Sequence, residues 1–215
     1  MTTRAVAFDF NGTISHDEPI LCEIFVELFA EHGKPLSAQE YFDRLAGLSD
    51  PEIVRTWLGP DHPDVAEVID ERVSRYVAAV ADGSTVPESV RAAVRHAAER
   101  VPVAVVTGAA RAEVEPVLEA AGLTGSIGAI VTADDVVDGK PHPEGYLRAL
   151  EELGVGVGPG EAVAFEDTEA GIASAKAAGF RCVAVLGTLD PHRLAAADEI
   201  VPAIDVPLVK RVLSS

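Results

Sequence analysis

The sequence is short of sulfur, rings and positive charge. Its 215 residues hold two cysteines, Cys22 and Cys182, one methionine, one tryptophan and 5% aromatic residues. The two cysteines fall in different predicted regions without paired spacing, which argues against a disulfide and for two reduced core thiols. Hydrophobic residues make up 48% of the chain, so an interior poor in rings must be built from Ala, Val, Leu and Ile. That composition suits a parallel sheet covered by small-residue helices. Lys and Arg number 17 against 35 Asp and Glu, a net charge of -18. With no basic stripe, nucleic acid and anionic membrane are excluded as partners. No charged-then-apolar leader, long uncharged span or internal repeat is legible, and the expectation is a soluble, cytoplasmic protein acting as a monomer or homodimer.

Strand-like runs alternate with helical patterns over most of the length, the signature of a doubly wound α/β sheet whose ligands gather at the carboxyl ends of the strands. After Pro87 a helix is predicted, then a strand to Thr107, a helix to Ala121 and a strand Ile127 to Val131. A helix from Pro143, a strand Ala162 to Phe165, a helix ending at Gly179, a strand Cys182 to Leu186 and an apolar edge near Ile200 follow. Pro116 predicts a kink or a late helix start. Residues 14–84 differ, reading as four consecutive amphipathic helices: Ile20 to Phe29 at helical spacing with Gly33 to end it, a Ser37/Glu40 capping box, and starts at Asp50-Pro51 and His62-Pro63. The domain expectation is a core of residues 1–13 and 85–215 with an all-helical insertion between, whose Phe and Tyr stripe is core packing.

Chemistry-bearing residues cluster at strand ends. The uncharged run Ala5-Val-Ala-Phe leads into Asp9, and Gly12-Thr13 breaks it; taken alone, Asp9 reads more readily as a turn former than as a functional carboxylate. Three further segments shift that balance. Val103-Ala-Val-Val-Thr107-Gly108 sets a hydroxyl, Gly139-Lys140-Pro141 an ammonium, and Ala164-Phe-Glu166-Asp167-Thr168 a carboxylate pair at or near further strand ends. The chain has only four lysines, which makes one in a Gly/Pro-bounded loop informative. A carboxylate nucleophile, a hydroxyl, a lysine and an acidic metal site are the parts of phosphoryl transfer through an aspartyl-phosphate.

With these four motifs in order, the sequence resembles the haloacid dehalogenase superfamily, in the phosphoglycolate phosphatase and β-phosphoglucomutase-like branch with a helical cap after the first strand. The resemblance implies a Rossmann-like core and Mg2+-dependent hydrolysis of a small phosphorylated metabolite. It implies Asp9 as nucleophile and metal ligand, the Asn11 carbonyl and Asp167 as further metal contacts, and Glu166 reaching the metal through water or orienting the site. Thr107, with the Gly108 and Ala109 amides, would hold the phosphoryl oxygens, and Lys140 would screen nucleophile from phosphate. Cap residues Arg44 and Arg55 are the cations proposed for the substrate's remote end, each equally readable as a solvated helix charge.

Asn11 departs from the family pattern, where a second Asp protonates the leaving oxygen and then activates water. An amide has no titratable proton in the useful range, so turnover is expected to fall roughly 10²- to 10⁴-fold unless another group substitutes. His16 is one substitute suggested by position, with an exposed hinge histidine as the plainer reading. The cap turn Gly47-Leu-Ser-Asp50 carries neither the lysine of phosphonatase-like members nor the arginine that sugar-phosphate mutases use nearby. A mutase, and a weak or inactive protein binding a phosphorylated ligand or a protein partner, stay open as alternatives.

Overall fold

The computed structural model describes residues 3–154 and 156–214. Its strands are β1 (Ala5–Phe8), β2 (Val103–Val106), β3 (Ala129–Val131), β4 (Ala162–Glu166), β5 (Arg181–Val185) and β6 (Glu199–Val201). They form one parallel sheet in the order β3-β2-β1-β4-β5-β6, the doubly wound arrangement read from the sequence. Every residue of β1, β2 and β4 is buried, as a sheet covered on both faces requires.

Alternation along the strands builds two different faces. Val6 and Phe8 join Val105 and Phe165 on one side, while Ala5 and Ala7 join Ala104, Ala162 and Ala164 on the other. Register pairs Phe8 with Phe165, whose rings stack at 4.9 Å between centroids; burying each ring is worth about 1.5–3 kcal/mol. The first face is closed by α5 (Glu88–Ala98), α6 (Arg111–Ala120) and α9 (Val206–Leu213). The alanine face takes its bulk instead from Tyr146 of α7 (Glu144–Leu153), Ile172 of α8 (Glu169–Ala177) and Phe180.

Between β1 and α5 lie α1 (Glu18–Glu31), α2 (Ala38–Arg44), α3 (Asp50–Leu58) and α4 (Val65–Val80). The capping box forms: Ser37 N donates to Glu40 Oε2 at 3.0 Å and Glu40 N to Ser37 Oγ at 3.2 Å. The aromatic stripe packs internally, Phe25 on Tyr41 at 5.9 Å and Phe29 on Trp57 at 6.4 Å. Helix α4 packs on α6 and ties these helices to the sheet layer.

Three local expectations change. Helix α4 starts at Val65, two residues after Pro63. Pro116 sits inside α6, which begins at Arg111; the bond it forfeits is to the carbonyl four residues back, only just past the first turn. Helix α9 was not foreseen: the Asp205 side chain accepts from Leu208 N at 2.8 Å, and Leu208, Val209 and Val212 are buried on the side packed against α5. Among the described residues, no helix is long and apolar enough to cross a membrane.

Candidate active site

The strand order reverses between β1 and β4, the place where an open α/β sheet leaves a crevice. Because Phe8 lies beside Phe165 and both strands run the same way, the chain delivers Asp9 from β1 next to Glu166 and Asp167 from β4. The loop between β3 and α7 brings in Lys140, whose Nζ lies 2.6 Å from Asp9 Oδ1 and 2.6 Å from Glu166 Oε1. One ammonium thus holds two carboxylates on adjacent strands.

Each of these groups is fixed from behind. Tyr146 OH donates to Glu166 Oε1 at 2.7 Å, and the Thr188 hydroxyl donates to Asp167 Oδ2. Thr168 caps α8 itself, accepting from Gly171 N at 3.1 Å. The capping duty that Asp167 could have taken is therefore filled, and Asp167 faces the cavity. Two glycines make the packing possible. A Cβ on Gly12, whose φ is +72°, would lie 1.9 Å from Asp167 Oδ2, and one on Gly171 would lie 1.9 Å from Glu166 Oε2.

The electrostatics call for a cation. Burial raises the Asp9 pKa; Lys140 opposes the shift, and the charge of Glu166 adds to it. Burial, then the charges of Asp9 and Glu166, push Asp167 well above the carboxylate range. Burial alone would lower the Lys140 pKa, but its two carboxylate partners outweigh that and raise it. Asp9, Glu166 and Asp167 each present an oxygen within 4.8 Å of the others. Three buried carboxylates against one ammonium, with only oxygen donors, fit a hard divalent ion.

Asp9, Lys140 and Asp167 line a cavity of about 650 Å³ together with Asn11, Thr107, Gly108 and Ala109, while Glu166 is fully buried off its wall. The Thr107 hydroxyl accepts from Ala109 N at 3.0 Å, so that amide is partly occupied with shaping the turn. The Asn11 amide donates from Nδ2 to Asp17 Oδ2 at 2.9 Å, and Tyr76 OH donates to the same carboxylate.

Arg44 and Arg55 are not brought to this cavity. Arg44 is exposed, its guanidinium 5.1 Å from the Trp57 ring centroid, and Arg55 is exposed on α3. The arginine of α1–α4 that does line the cavity is Arg72 of α4, buried and ion-paired to Asp50 and to Glu113 of α6. His16 is exposed and lies off the cavity wall, whereas Glu18 and Tyr41 are on it. Sequence reasoning missed Arg72, Glu18, Tyr41 and Thr188. Only Thr188, following β5, had a positional signal in the strand-end rule.

Comparison with known proteins decides the family. The model of the haloacid dehalogenase-like hydrolases matches residues 3–179. The chain belongs to this family. It is 33% identical over 211 residues to validoxylamine A 7'-phosphate phosphatase of Streptomyces hygroscopicus subsp. limoneus, covering 91% of each chain. It is 28% identical over 223 residues to the phosphoglycolate phosphatase of Yersinia pestis, covering 96% of this chain and 95% of that one. The crystal structure of CbbY from Rhodobacter sphaeroides in complex with phosphate superimposes with a TM-score of 0.81 at 28% identity, over 94% of this chain and 95% of that one. This haloacid dehalogenase-like hydrolase thus stands among phosphatases, and it is a phosphohydrolase of that family.

Proposed function

We propose that the protein is a Mg2+-dependent phosphatase acting on a small phosphorylated metabolite through an aspartyl-phosphate at Asp9. The observation that carries this reading is the clamp of Lys140 on Asp9 and Glu166, with Asp9, Lys140 and Asp167 lining one cavity. Bound by Asp9, Asp167, the Asn11 carbonyl and, directly or through water, Glu166, Mg2+ would offset the charge of phosphate beside carboxylates. Asp9 attacks phosphorus, Thr107 holds a phosphoryl oxygen, and Lys140 keeps nucleophile and phosphate from repelling one another. Residues 14–84 act as a cap that closes over the substrate and excludes bulk water. Buried reduced thiols at Cys22 and Cys182 suit a cytoplasmic setting.

The cap side of the cavity supports a substrate with one phosphate. Arg72 is the cap cation there, and Asp50 and Glu113 together outweigh its charge, so a second phosphate would meet no net positive field. Glu18, Tyr41 and Asp50 suit hydroxyl or amine groups. Both features weigh against a bisphosphate-activated mutase. The test is release of phosphate from p-nitrophenyl phosphate with Mg2+ by the native chain, Asp9→Asn and Asn11→Asp. Loss of turnover in Asp9→Asn and a gain in Asn11→Asp are expected. Ligand-induced thermal stabilisation with no Asp9-dependent turnover would instead make this a binding protein.

A further inference from the structure

Three acidic or imidazole groups follow Asn11 closely, and the structure separates them. His16 points to solvent, and its backbone N donates to Thr85 O at 2.8 Å. Asp17 is fully buried, off the cavity wall and saturated by Asn11, Tyr76 and the Gly12 amide. Glu18, opening the first turn of α1, lines the same cavity as Asp9, Asn11 and Asp167. We propose that Glu18, the cavity carboxyl group next along from the amide at position 11, is the general acid/base that Asn11 cannot be. This rests on the aspartyl-phosphate reading above.

The setting fits the task. Burial raises the Glu18 pKa to about 7; the hydrogen bond from Tyr41 OH to Oε1, 2.9 Å long, opposes the shift, and the charge of Asp17 adds to it. Facing groups are Tyr41 from α2, Asp167 after β4 (whose own pKa the Glu18 charge raises), and Asp17 and Cys22 on its own segment. Asp50 and Arg72 enter the cavity from α3 and α4. A group that titrates near neutrality serves both directions of transfer. In the first half, Asp9 Oδ bonds to phosphorus, the bond from phosphorus to the leaving oxygen breaks, and the Glu18 proton goes to that oxygen. In the second, water oxygen bonds to phosphorus, the bond to Asp9 breaks, and the water proton returns to Glu18. The net change is ester plus water giving alcohol plus inorganic phosphate.

The sign of the pH dependence follows. Phosphorylation of Asp9 needs Glu18 protonated, so kcat/KM falls as pH rises through about 7. The experiment compares native protein, Glu18→Gln, Tyr41→Phe, Asp9→Asn and Glu18→Gln/Asn11→Asp with Mg2+ from about pH 5 to about 9. The probes are p-nitrophenyl phosphate, whose phenolate leaves with little protonation, and glucose 6-phosphate, whose alkoxide needs it. Glu18→Gln is expected to lower kcat on glucose 6-phosphate roughly 10²- to 10⁴-fold, much less on the aryl ester, and to abolish the fall near neutrality. Tyr41→Phe, by removing a bond to the ionised form, moves that fall to higher pH. Adding Asn11→Asp restores turnover to Glu18→Gln. Misfolding is controlled by Tm at about pH 8, where the neutral Gln, relieving a carboxylate that burial opposes, should melt no lower than native. A rise in KM with kcat and pH profile intact would make Glu18 a substrate-binding group and overturn the proposal while leaving the phosphatase standing. Native turnover no faster than Asp9→Asn on either probe would overturn both.

Discussion

Lys140 is the single residue on which the charge balance of the floor turns. It is the cation between Asp9 and Glu166, and its removal leaves buried carboxylates facing one another. Lys140→Met is expected to cost about 3–5 kcal/mol in chemical denaturation with chelator present. Mg2+ should then stabilise the variant more than the native chain, because the ion replaces the missing neutralisation while turnover stays lost. Gly12 carries a second residue-scale prediction. Its φ of +72° and the 1.9 Å approach of a built Cβ to Asp167 Oδ2 mean that Gly12→Ala both strains the backbone and displaces a carboxylate of the proposed metal site. The Tm gain on adding Mg2+ should largely disappear, and should likewise disappear in Asp167→Asn. In the native chain that gain should shrink as pH falls. Asp9 and Asp167 are both raised by burial and must release protons to bind the ion.

At the scale of elements, α4 and α6 are pinned by one buried arginine. Arg72 reaches Glu113 on the core side and Asp50 on α3. Arg72→Met should cost about 3–5 kcal/mol, because two carboxylates lose the cation that neutralises them, whereas Arg72→Met/Glu113→Leu should recover much of it. Equal losses in single and double variants would show that the pair does not couple the helices. This contact also marks the limit of what the sequence conveys. The placing of Asp9, Thr107 and Asp167 was legible because a parallel strand exposes the residue just past its end at the carboxyl edge, whatever packs elsewhere, and that of Lys140 because it is one of four lysines and sits in a Gly/Pro-bounded loop. Arg72, Glu18 and Tyr41 were not, because helical periodicity shows which face is apolar but not which element from a distant part of the chain that face meets. Arg44 and Arg55 were plausible cations by the same blind rule, and they turned outward. Helix α9 was missed for a different reason: at eight residues it is short, and the Asp205 cap and Pro207 were its main signals.

For the molecule as a whole, the net charge of -18 opposes the reaction assigned to it. A phosphate ester carries negative charge, and so does every long-range approach to this surface, so the field slows encounter instead of guiding it. On the proposed reading, attraction begins only inside the cavity, where Lys140 and a bound cation would meet the phosphate. Salt distinguishes the two regimes. At about 10 mM ionic strength the Debye length is about 30 Å and the acidic exterior acts at long range, while at about 150 mM it is about 8 Å and the repulsion is confined to contact range. At fixed free Mg2+ and subsaturating substrate, kcat/KM is therefore expected to rise a few-fold between these conditions, with kcat unchanged. A fall in kcat/KM over the same interval would mean that the cation-bearing floor, and not the acidic exterior, sets the field the substrate meets on its way in.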